Sequence, residues 1–131
     1  MYTGWEQDYA GRYSTMIIII LFLLLWLQVT AWHHRGKFHR WQMWIPVVFL
    51  PITCIAGLMV VVYPVAWTGW MYSIALILGI IAGGYGSLLH LLAIGKRTGG
   101  MNYENIQSGL PFALPAAVAM LSLLGFLIIW M

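Results

Sequence analysis

The residues best able to do chemistry in this chain are four histidines, and they are unevenly placed. His90 closes the stretch GIIAGGYGSLLH, from Gly79 to His90. His33, His34 and His39 share the basic segment WHHRGKFHRW. An imidazole can ligate a metal ion or a haem iron, or simply hydrogen-bond a carbonyl. Three histidines near Glu104 would suit zinc or copper, although adjacent His33 and His34 point different ways on a helix. The alternative for that segment is a wet basic loop against anionic headgroups.

Gly79, Gly83, Gly86 and His90 have spacings of 4, 3 and 4. At about 100° per residue they share one helix face. Gly79 and Gly83 form the G-x-x-x-G spacing that lets backbones approach closely. Ala75 extends the line, and Pro115, Ala119 and Ser122 line one face of a later helix. The first expectation is therefore helix packing through Ala75, Gly79, Gly83, Gly86, Ala119 and Ser122. A contact with another subunit and a flat cofactor lying in the groove remain open. Gly86-x-x-x-His90 resembles the small-x-x-x-His pattern of light-harvesting helices. That resemblance implies a haem or (bacterio)chlorophyll seated on Gly83 and Gly86 with His90 as axial ligand.

The elements that carry these residues follow from composition. The 131 residues are 63% hydrophobic and 7% charged. A soluble domain is about a quarter charged, so lipid is the expected solvent. Four runs of about 20 apolar residues fit spans: 14–32, 44–66, 70–95 and 109–131, none containing Asp, Glu, Lys or Arg. The fold class expected is an all-α integral membrane protein, a compact four-helix bundle forming one domain. Residues 1–13 are expected as an outer tail, and 33–43 and 96–108 as cytoplasmic loops. Glu6, Asp8 and Arg12 near the start argue for a retained span rather than a cleaved leader.

Five of the six basic residues lie in those two loops: Arg35, Lys37, Arg40, Lys96 and Arg97. The positive-inside rule then puts both termini on the non-cytoplasmic side of a bacterial inner membrane. Tryptophans at 32, 41, 44, 67, 70 and 130 mark the borders. Pro46 and Pro111 fall in first turns and Pro64 near the end of the second helix; Pro51 and Pro115 predict kinks whose freed carbonyls find neighbours. Cys54 is the only cysteine, which excludes an internal disulfide.

Absent groups exclude several functions. The spans hold no carboxylate to couple proton movement. They also lack the intramembrane charges of four-helix glutathione enzymes. Ser87 and His90 have no orienting third group for hydrolysis. The basic segments flank spans, so nucleic acid is not an expected partner. The expectation is a non-enzymatic accessory subunit of a larger membrane complex, respiratory or photosynthetic, with other membrane subunits and lipid as partners. The alternatives are the His90 haem or pigment protein, and a carrier of a small solute or metal using Gln28, Thr30, Thr53 and Ser122.

Overall fold

Each of the four apolar runs folds into one long helix. The computed structural model describes residues 9–108 and 112–131. Helix α1 spans Tyr9–Arg35; a single 3-10 turn, Trp41–Met43, leads into α2, Trp44–Val62. Helix α3 spans Ala66–Gly95, the short α4 Tyr103–Ser108, and α5 Ala113–Trp130. Four helices are long and apolar enough to cross a membrane, and the fold is all-helical over the described residues.

The long helices form a ring: α1 packs on α2 and α5, and α3 packs on α2 and α5. Two hydrogen bonds show that neighbours run antiparallel. Arg12, early in α1, donates to the Val61 carbonyl at the end of α2 at 2.8 Å. The Trp130 indole, ending α5, donates to Ser73 Oγ early in α3 at 2.9 Å. The start of α1, the α2–α3 turn and the end of α5 therefore share one end of the bundle. The α1–α2 loop and the α3–α5 linker share the other, which carries Arg35, Lys37, Arg40, Lys96 and Arg97.

The core is built from Phe22, Leu50, Val60, Tyr72 and Leu76, all fully buried, with Ile18, Ile19, Val118 and Ile129 beside them. The outward faces are as apolar as the core, with Ile17, Leu24, Ile55, Ile77 and Leu124 exposed. That inversion of the soluble pattern suits a chain whose outside is not water.

The element limits differ from the apolar runs. Helix α1 is already formed at Tyr9, the first described residue and inside the stretch expected as a tail, and reaches Arg35. His33 and His34 are therefore in its last turn and not in a loop. Apolarity marks where a helix meets lipid, whereas a helix continues as long as its carbonyls find amides. Helix α2 stops at Val62, so Pro64 lies beyond it. Part of the expected 96–108 loop is α4, whose first amides are met by Asn102: its Oδ1 accepts from the Asn105 N–H at 2.8 Å. Gly99 and Gly100 make the preceding turn at φ +92° and +67°, a region open chiefly to glycine.

Pro51 is inside α2 and removes the amide that would bond the Val47 carbonyl. The Trp26 indole of α1 donates to that carbonyl at 3.0 Å. Pro115 differs from expectation: it sits in the first turn of α5, where amides have no intrahelical acceptor, so it frees no carbonyl inside a described helix. Pro111 and residues 1–8 lie outside the described residues.

Candidate functional site

The glycine face of α3 meets α5. A methyl group added to Gly79 would land on the Ser122 hydroxyl. One added to Gly83 would sit 2.6 Å from the Ala119 amide nitrogen and 2.7 Å from the Pro115 carbonyl oxygen. At Gly86 it would sit 3.0 Å from Pro115 Cβ. Ala75 is buried one turn above Gly79. The two backbones thus touch where side chains are missing, which is the geometry small residues permit. Gly84, on another face, has open space around it. The same contacts bear on a flat ring seated on Gly83 and Gly86: the space their side chains would fill holds Ala119 and Pro115.

From Gly83, Gly86 and Pro115 towards the basic end, the helices line a cavity of about 500 Å³. Its wall includes His33 from α1, His39 and Arg40 from the α1–α2 loop, His90 near the end of α3, and Lys96 just beyond it. The ends of three elements bring together groups spread over more than sixty positions of sequence. Its deeper wall is apolar, with Val29, Phe49, Leu89 and Val118. No Asp or Glu lines it among the described residues.

No protein family, curated protein or solved structure matches this chain. The site is therefore read from its own geometry.

The histidines differ in setting. His33 and His90 are half-buried, while His34 and His39 are exposed. His39 Nδ1 donates to the Gly36 carbonyl at 2.9 Å, because a carbonyl can only accept. This pins the ring to a tight turn in which Lys37 and Phe38 both have positive φ, 59° and 46°. His34 stands away from the cavity, edge-on to Phe38 with centroids 6.4 Å apart, and Phe38 stacks on Trp44 at 4.2 Å. Among the described residues no three His, Cys, Asp or Glu side chains come together as a metal-binding group, so His33, His34, His39 and Glu104 do not form one.

On the expected polar path of Gln28, Thr30, Thr53 and Ser122, the Thr30 hydroxyl is enclosed with no hydrogen-bond partner among the described residues. Thr53 donates to the Phe49 carbonyl, and Ser87 donates to the Gly83 carbonyl at 2.8 Å. Ser87 thus turns its proton to its own helix. Ser122, Thr15 and the Tyr72 hydroxyl are buried with no hydrogen-bond partner among the described residues. Gln28 is exposed on the outer face of α1, one turn from Trp32.

Sequence reasoning overlooked Arg12 as a bond to α2, Trp26 as the partner of the Pro51 gap, and the gathering of Arg40 and Lys96 at one cavity. It also overlooked Gly57, which admits Ile19 and Tyr72, and Gly125, which admits Leu76. Gly125 was visible as the next small residue after Ser122 on the α5 face. A tryptophan placed for a helix-interior proline has no sequence spacing of its own.

Proposed function

We propose that this chain is an integral membrane protein of a bacterial inner membrane that serves as a non-enzymatic accessory subunit of a larger membrane complex. Four long apolar helices and an apolar outer surface support the membrane assignment. The basic end would lie in the cytoplasm and both termini outside, by the positive-inside rule.

The observation that carries the subunit reading is Gln28. Gln28 is exposed on the outer face of α1, directly after the apolar run from Met16 to Leu27. A carboxamide facing hydrocarbon gains by bonding across to another helix. This chain's own hydroxyls at 53, 73 and 87 donate to carbonyls of their own helices, which leaves them unsuited as nucleophiles. The partner complex would be an energy-converting one, since such assemblies use small helical subunits to seal and order larger ones. A tetrapyrrole on His90 is the second reading: the cavity is lined by His90, Gly83 and Gly86, although Ala119 and Pro115 of α5 lie where side chains on those glycines would go.

The test is mild-detergent purification of the tagged chain from its native membrane, followed by mass spectrometry. Stoichiometric recovery with larger subunits, reduced by Gln28→Leu, is the expected result. Recovery alone, identical for both proteins, would refute the subunit reading.

A further inference from the structure

We propose that the cavity at the basic end is a binding site for one acidic phospholipid, its phosphate at the rim and the start of an acyl chain inside. This rests on the membrane assignment above but not on the subunit reading.

The argument begins with the lining. Arg40 and Lys96 come from two different connections and meet at one cavity with His39. Both cations are exposed, and no carboxylate on the wall competes for them among the described residues. Arginine offers a planar fork and lysine a point charge, and phosphate oxygens accept from both. Inward from them the wall turns apolar at Phe49 and Leu89. A free anion would use only the rim, and a neutral apolar molecule only the depth. An anionic amphiphile uses both.

Volume and position agree with that occupant. About 500 Å³ lies within the range of small-molecule sites but below what a whole two-chain lipid needs. The head and the beginning of one chain would be held, with the remainder outside. The cavity is bordered by His39, Arg40 and Lys96 of the positive loops, which the proposed orientation sets at the cytoplasmic headgroup layer. Basic pockets between transmembrane helices on that side hold acidic headgroups.

The experiment is native mass spectrometry of the full chain in mild detergent, titrated with phosphatidylglycerol and phosphatidylcholine of matched chains. Retention of one phosphatidylglycerol, preferred by about tenfold or more, is expected from two converging cations. Arg40→Gln with Lys96→Gln should reduce the preference to about twofold or less. Both positions are exposed, so this variant should fold. Lys37→Gln is the control: its side chain is in the same loop but does not line the cavity. Ala93→Phe, which fills the cavity from its wall, should lower retention of the lipid without altering surface charge. Equal retention of the two lipids would overturn the proposal. So would an unchanged preference in the double variant, or an equal loss in Lys37→Gln. Displacement by inorganic phosphate as readily as by phosphatidylglycerol would show an anion site with no role for the chain, and would also overturn it.

Discussion

The two ends of this bundle are built differently. Towards the end that holds the α2–α3 turn, the helices close on one another: Phe22, Val60, Tyr72 and Leu76 are fully buried, and Gly57, Gly79 and Gly125 admit neighbours at contact distance. Towards the basic end the same helices part around about 500 Å³ bordered by histidines and cations. Few residues there are buried, Val29, Ile94 and Asn105 among them. The difference teaches that one half supplies the rigidity that lets the other remain open. A cavity between helices persists only when the helices are fixed elsewhere, because interiors otherwise pack to crystal-like density.

The comparison breaks most visibly at Gly83. Gly83→Leu forces a side chain onto the Pro115 and Ala119 backbone and should destabilise the bundle by about 3 kcal/mol. Gly84→Leu, one residue away and facing open space, should change stability by less than about 0.5 kcal/mol. Denaturant unfolding followed by circular dichroism measures both. Equal effects would mean that α3 does not meet α5 through this face.

Trp26 offers the next largest effect. Trp26→Phe leaves the Val47 carbonyl without its donor and should cost about 2 kcal/mol. In a Pro51→Ala background the helix regains its own amide there, so the cost should fall by about 1 kcal/mol or more. Additive losses in the double-mutant cycle would show that the indole contributes packing alone.

Ser122→Ala removes a buried hydroxyl that has no hydrogen-bond partner among the described residues and relieves the approach to Gly79. It should leave stability unchanged or raise it by up to about 1 kcal/mol. A loss above that size would reveal a bond made by the hydroxyl.

The smallest stability effect belongs to the open end. Arg40→Gln with Lys96→Gln should shift unfolding by less than about 0.5 kcal/mol while changing lipid retention strongly. A large stability loss there would erase the distinction between a packed end and a binding end.

Much of the fold is legible in the sequence. Four apolar runs gave the number of long helices, since a backbone in hydrocarbon must satisfy its own hydrogen bonds. Their limits were less legible. Tyr9, Tyr13 and Arg12 look like a tail because they are polar or aromatic, yet they continue α1; Arg12 is held there by Val61. Pro115 reads as interior in a run beginning at 109, and becomes a first-turn residue once α5 starts at Ala113. For the candidate site, the glycine spacing marked a face of α3. The sequence could not say whether α5, another subunit or a ring would occupy it.

By itself the sequence determined the helical class, the apolar exterior and the segregation of positive charge, because each follows from local composition and the period of one helix. Only the tertiary structure decided that α5 fills the glycine face, that Trp26 answers Pro51, and that His33, His39, Arg40, His90 and Lys96 border one cavity. Those outcomes depend on the relative rotation and depth of separate helices. Outward faces as apolar as the core leave the pattern of apolar residues with little to say about which face turns inward.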